Sequence, residues 1–219
     1  MTNGGWALWA VFHRSPARDA AAVPEGTLAE TIEAIAAEGI VTRGIYDVSG
    51  LRADADIMIW LHGDDAAALQ AALRRIRRTD AIAPLEPRWS ALGVHRDAEF
   101  NRSHVPGFLR GERARDWLVV YPFVRGYDWY VLAEADRGRM LAEHGHKGAE
   151  YTSVVANTVS AFALGDYEWI LPMESDSLTD LVDMMRALRA TEARLHVQEE
   201  VPFFTGRRIE AAEVAEVLR

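Results

Sequence analysis

The sequence predicts an α+β chain of two tandem ferredoxin-like halves, each running β-α-β-β-α-β. Three observations carry this. Apolar runs of strand length alternate with stripes of helical period in one order before residue 100, and the same order returns from residue 116. The turn-forming pairs Ser49-Gly50 and Gly165-Asp166 fall between neighbouring strand runs in each half. A length of 219 residues is enough for one large core or two small ones. The expected division is 1–100, a linker over 101–115, and 116–219.

In the first half, Trp6 to Arg14 reads as a strand. Pro24-Glu25 opens a helix that turns Leu28, Ile32 and Ile35 inward and stops at Gly39. Strands are expected near Ile40–Val48 and Ala55–His62. Asp64 is placed to cap a helix whose Leu69, Ala72, Leu73 and Ile76 form one stripe, and Trp89 to His95 returns as a strand.

In the second half, Asp116 to Phe123 is apolar on both faces, with Trp117, Val119, Tyr121 and Phe123 on one side and Leu118 and Val120 on the other. Such a strand must be covered twice. Pro122 has no backbone donor, so pairing is expected to loosen at Tyr121. A helix near 134–146 turns Met140, Leu141 and His144 inward and meets Gly145 as its stop. Strands near 154–164 and 166–173 follow. A helix from Asp176 then carries Leu178, Leu181, Val182, Met185 and Leu188 at helical spacing, with Arg186 and Arg189 towards its end, before a final segment to Phe204.

Composition narrows the function classes. Hydrophobic residues are 49% and charged residues 26%, which is ordinary for a globular chain. The net charge of −9 and pI near 5.3 argue against a nucleic-acid surface. The cluster Arg74, Arg75, Arg77 and Arg78 reads as a solvated helix end, where cations face the negative pole of the macrodipole. With no cysteine, disulfides, thiolate ligation and iron–sulfur clusters are excluded. Trp6–Phe12 is too short for a signal or a span, so the expected location is cytoplasmic, with no membrane span.

The chemistry gathers in one stretch. Tyr121-Pro122, Arg125 and Trp129-Tyr130 are followed by His144-Gly145 and Gly148, and later by Ala163-Leu-Gly-Asp-Tyr-Glu-Trp169. Taken singly, each residue has a plain reading. His144 reads as a hydrogen-bonded core histidine, Tyr121 as a half-buried aromatic, Trp129 as core and His104 as an exposed loop residue. Taken together, the set resembles the chlorite dismutase-like haem family, and within it the coproheme decarboxylases, in the branch that carries a distal histidine.

The resemblance implies that the two halves form a dimeric α+β barrel, within a homopentamer. It implies that His144 is the proximal iron ligand, with His146 facing away, and that His104 is a distal base acting on hydrogen peroxide. Tyr121 is then the redox-active phenol, Arg125 a propionate anchor and Trp129 a wall and indole donor. Arg207 and Arg208 are further propionate candidates, and Glu192 a candidate partner for the second nitrogen of His144. The implied reaction converts iron coproporphyrin III (coproheme) to haem b by two oxidative decarboxylations through a three-propionate intermediate, the iron porphyrin being both substrate and redox cofactor. A coproporphyrin ferrochelatase is the implied donor. The alternatives are a chlorite dismutase-like or peroxidase-type haem enzyme, or a non-enzymatic haem-binding α+β barrel. Chlorite chemistry uses a distal arginine whose ungapped place falls at Asn157, and residues 151–165 hold no arginine.

Overall fold

The computed structural model describes residues 5–15, 24–96 and 105–219. In chain order the elements are β1 (Trp6–Arg14), α1 (Leu28–Ala37), β2 (Val41–Asp47), β3 (Ile57–Gly63), α2 (Ala66–Ile76), β4 (Leu85–Val94), β5 (Trp117–Arg125), α3 (Glu134–Ala149), β6 (Val155–Ala156), β7 (Val159–Ser160), β8 (Trp169–Ser175), α4 (Leu178–Leu188), β9 (Val197–Glu199), β10 (Phe204–Ile209) and α5 (Val214–Val217), with short 3-10 turns at Trp129–Val131, Glu192–His196 and Ala211–Glu213. The chain divides into two compact units. One takes the residues up to Val94 with Thr205–Arg219, the other His95–Phe204.

In the first unit β1 lies between β4 and β3, β2 follows β3, and β10 adds to β2 with Arg208 opposite Tyr46. Alternation along the strands sends Leu8, Ala10, Phe12, Ile45, Ile57, Ile59 and Leu61 to one face, where Leu28 and Ile35 of α1 and Leu69, Ala72 and Ile76 of α2 cover them. Each such side chain contributes about 1.5–3 kcal/mol on burial, so this face fixes the register of the sheet. Thr27 caps α1 reciprocally with Glu30, and α2 is capped by Asp65, which accepts from the Ala68 amide at 2.7 Å, rather than by Asp64. Strand β4 begins four residues earlier than expected. Pro87 is accommodated where the β1–β4 register shifts between Val11 and Phe12, so the missing donor costs a local slip and not the strand.

In the second unit β8 pairs antiparallel along β5, β6 and β7 pair with β8, and β9 pairs with the end of β5. The β5–β8 register runs unbroken through Tyr121, Pro122 and Phe123, against the expected loosening. The slip comes later, between Val124 and Arg125 against β9. The face of Val119, Tyr121, Leu171 and Met173 packs on Leu181, Met184 and Leu188 of α4. Val182 points outward at 52% exposure, and Met184 takes the place expected for it. Ser177, not Asp176, caps α4; Asp176 instead accepts from Arg113 at 2.5 Å.

Two further expectations for this unit are corrected. Helix α3 continues through Gly145 to Ala149, because a glycine stops a helix only when its backbone turns left-handed, and Gly145 has no positive φ. The strand expected over 154–164 is two short pieces. Between them Asn157 turns its side chain inward, accepting from the Phe108 amide at 2.8 Å and donating to Val155 O at 3.2 Å and Glu174 at 3.1 Å.

Candidate functional site

Strand β5 carries Tyr121 and Arg125 four residues apart, both inside a strand that runs two residues beyond its expected end at Phe123. Tyr121 is 2% exposed. Its ring stacks on Phe203 at 4.3 Å between centroids, and its hydroxyl donates to Met185 Sδ of α4 at 3.4 Å. Burial pushes the phenol well above its ordinary value, Glu200 adds to the shift, and Arg189 and Arg194 oppose it. A phenol in this setting keeps its proton at any working pH.

Arg125, where β5 ends, lays its guanidinium over the Trp129 ring at 4.0 Å and over Phe123 at 4.9 Å, and it donates to Ala193 O at 3.3 Å. Trp129, 2% exposed, packs with Met140 of α3 and with Ala193, and its ring lies 5.5 Å from that of His196. The Arg125 amide and the Tyr130 hydroxyl both donate to Glu168 Oε2, at 2.8 and 2.7 Å. Backbone, stacked guanidinium and indole are thereby held as one piece.

His144 lies one turn beyond Met140 on α3, half-buried, whereas His146 is exposed. Burial lowers its pKa first, and the Arg125 guanidinium lowers it further against the opposing pull of Glu200 and Glu143. The imidazole is therefore kept neutral. Its Nδ1 lies 3.4 Å from Thr191 Oγ1, and the Thr191 hydroxyl donates to Leu188 O at 2.8 Å. Glu192, the expected partner, is engaged elsewhere: Arg139 grips it with two bonds of 2.6 and 3.0 Å. The reason is local. Thr191 precedes the 3-10 turn and points back into the structure at 4% exposure, while Glu192 opens the turn towards solvent.

A carboxylate completes the surroundings. Glu200, just beyond β9, pairs with Arg194 at 2.9 Å and also with Arg189, and its charge acts on both Tyr121 and His144. Sequence reading gave no site role to Thr191, Phe203, Glu200 or Arg194, and placed Met185 only on the apolar stripe of its helix. Only the run Thr191-Glu192-Ala193-Arg194, polar between two apolar segments, offered a signal for any of them.

Arg207 and Arg208 are exposed on β10 in the first unit, with Arg207 3.9 Å from Glu213. His104 lies outside the described residues.

Among the described residues no three His, Cys, Asp or Glu side chains converge on a point where they could hold a bare metal ion. A single half-buried imidazole with the Arg125 charge acting on it would suit instead a metal that arrives in a macrocycle bearing carboxylates, the imidazole holding the metal and the guanidinium a carboxylate.

Comparison with known proteins bears on this geometry. A coproheme decarboxylase of Mycolicibacterium smegmatis is 57% identical over 173 residues, covering 78% of this chain and 75% of that protein. A mutant chlorite dismutase from Candidatus Nitrospira defluvii superposes with a TM-score of 0.81 at 19% identity, over 100% of this chain and 97% of that one. Chlorite dismutase from the same organism, in complex with imidazole, gives 0.79 at 18% identity over 99% and 96%. These two structures speak for an α+β fold in common. Residues 20–209 match the family described as chlorite dismutase, so with that match and the 57% identity, the chain belongs to the chlorite dismutase family.

Proposed function

We propose that this protein converts coproheme to haem b with hydrogen peroxide, in two oxidative decarboxylations that pass through a three-propionate intermediate. The observation that carries the reading is the gathering in one unit of a neutral, half-buried imidazole, a stacked guanidinium and a buried phenol, in a chain 57% identical to a coproheme decarboxylase. For each propionate the balance is R–CH2–CH2–COO⁻ + H2O2 + H⁺ → R–CH=CH2 + CO2 + 2 H2O. The side chain loses two electrons and a β-hydrogen, and peroxide is reduced to water.

Iron coproporphyrin III, as substrate, supplies the oxidising chemistry once it meets peroxide. His144 holds its iron through Nε2. Arg125, its guanidinium lying over the Trp129 ring, anchors a propionate, and Trp129 walls the site and excludes water. Tyr121 gives up its O–H hydrogen as proton plus electron, and the oxidised phenol then draws hydrogen from the propionate β-carbon; the carbon radical loses CO2 and its second electron to the peroxide-derived oxidant, and burial, by raising the phenol's pKa, keeps that hydrogen in place beforehand. His104 is assigned the removal of a proton from peroxide. Asn157 turns inward to Glu174 and offers no cation, so nothing at that position favours chlorite as substrate. The expected halves, 1–100 and 116–219, are read as ferredoxin-like and as making up a dimeric α+β barrel within a homopentamer. The protein is further read as cytoplasmic and supplied by a ferrochelatase, a reading to which the lack of any helix long and apolar enough to cross a membrane, among the described residues, is no obstacle.

The test is mass spectrometry of the porphyrin after peroxide is added to the coproheme complex of the wild type and of Tyr121→Phe. The wild type should lose two carboxylates in sequence. Tyr121→Phe keeps the ring stacked on Phe203 but has no O–H, so it should fold, bind coproheme and consume peroxide without forming either product. Normal decarboxylation by this variant would sink the mechanism.

A further inference from the structure

We propose that Thr191 is the positioning residue of His144: its hydroxyl oxygen accepts a hydrogen bond from Nδ1–H and so leaves Nε2 as the ring atom presented to iron. The proposal rests on the reading of His144 as the iron ligand and adds to it how the ring is set.

The argument is one of hydrogen counting. A threonine hydroxyl has a single hydrogen. Here that hydrogen goes to Leu188 O, 2.8 Å away, in preference to His144 Nδ1 at 3.4 Å. The oxygen then faces the ring with lone pairs only, and two acceptors do not bond, so Nδ1 carries the ring hydrogen. In a neutral imidazole the other nitrogen, Nε2, is left with the lone pair that a metal requires.

The hydroxyl has little freedom to reverse this arrangement. Thr191 is 4% exposed and β-branched, with restricted rotation about χ1. The register between α3 and the Thr191 turn is also fixed from the same helix: Glu143 accepts from the Glu192 amide at 3.1 Å, and Arg139 bonds twice to the Glu192 carboxylate. Residues 139, 143 and 144 thus meet 191 and 192 as a set. The acceptor is a neutral hydroxyl at the long end of hydrogen-bond range, so it orients the ring while giving it little of the electron density that a carboxylate partner would.

Two measurements test this with Thr191→Val, which keeps the branching and loses the hydroxyl, and Thr191→Ser, which restores it. In the protein without porphyrin, labelled with ¹⁵N-histidine, His144 of the wild type and of Thr191→Ser should show a protonated Nδ1 and a pyridine-type Nε2, while Thr191→Val should show a mixture of the two ring forms. In the ferrous coproheme complex, resonance Raman should give an iron–histidine stretch that moves to lower wavenumber in Thr191→Val and returns in Thr191→Ser, with coproheme affinity about 10-fold weaker in the valine variant. A wild-type Nε2 found protonated, or a stretch unmoved in Thr191→Val, overturns the proposal and leaves His144 as ligand. A wild-type complex with no iron–histidine stretch overturns the ligand reading, and this proposal with it. Should Thr191→Val fail to fold, the wild-type nitrogen shifts decide alone.

Discussion

His62 on β3 and His144 on α3 are both half-buried histidines beside an arginine that is stacked on a tryptophan. In the first unit Arg43 lies 5.1 Å above Trp60, and the pKa of His62 is pushed down to about 4, by burial first and then by Arg43. In the second, Arg125 lies 4.0 Å above Trp129, and burial and Arg125 lower the pKa of His144 in the same way. The ingredients match, yet their origins differ. Trp60 and His62 are two residues apart on one strand, so strand alternation alone puts them on one face, with Arg43 at 7% exposure and Trp60 at 0%. Arg125, Trp129, His144 and Thr191 come from a strand end, a 3-10 turn, a helix and the turn after a helix. An arginine, a tryptophan and a neutral histidine do not by themselves mark a site. What sets the second group apart is that four separate elements supply it, with the Thr191 hydroxyl 3.4 Å from His144 Nδ1.

The largest expected effect tests whether the two histidine regions differ as core does from site. Ile59, 1% exposed beneath α1 and α2, should cost about 2–5 kcal/mol when changed to Ala, because a cavity remains where helices and sheet met. His144→Ala should leave the denaturant midpoint close to that of the wild type while abolishing the iron–histidine stretch with coproheme. A midpoint drop for His144→Ala comparable to that for Ile59→Ala would make the histidine a core residue and remove the contrast.

Next in size is a pH effect. The folded pKa of His62, about 4, lies below its unfolded value near 6.5. Above pH 6.5 both states are neutral there and stability is complete. As pH falls towards 4 the unfolded chain takes up the proton first, and stability is lost, by about 3 kcal/mol at most. His144 acts in the same direction. The carboxylates with lowered values, Asp54 and Asp176 among them, lose their contribution at lower pH, starting near their ordinary value of 3.8. Between pH 6.5 and 5, above the ordinary value of 4.5 near which Glu30 and Glu192 begin to lose their contribution, the slope of stability should therefore be dominated by histidines, and urea titrations of His62→Gln should be flatter in that window than those of the wild type. An equal slope would mean that His62 is not held neutral.

These contrasts also show how far the sequence could be read. The order of elements in the first unit was legible because each strand and helix keeps one period over its length, and the misplacements were of caps and ends: Asp65 for Asp64, and Leu85 for Trp89 as the start of β4. In the second unit the periods are short. Asn157 breaks a strand by turning inward, a choice made by Phe108 and Glu174 rather than by its neighbours in sequence. Gly145 looked like a stop because a glycine's backbone angle cannot be read from its letter. The motif residues Tyr121, Arg125, Trp129 and His144 were singled out because together they resemble one family's set, while Thr191 was not and Met185 was read only as part of a helix stripe, since a threonine after a helix and a methionine within one are common for other reasons. Their roles exist only through a contact 47 or 64 residues away.

The smallest expected effect concerns what docks α3. The grip of Arg139 on Glu192 is the most conspicuous contact between that helix and the Thr191 turn, but both side chains are exposed, so solvent and salt screen it. The apolar contact of Met140 with Trp129 and Ala193 lies one residue along the same helix and is buried. Arg139→Ala should therefore leave the denaturant midpoint within error of the wild type at 0.15 M salt, and the nitrogen shifts of His144 unchanged, because the Glu143 carboxylate still holds the Glu192 amide. Met140→Ala should lower the midpoint measurably and disturb the His144 ring. If Arg139→Ala alone scrambled the two ring forms of His144, the surface ion pair would be what sets the approach of Thr191, and the buried cluster would be only its support.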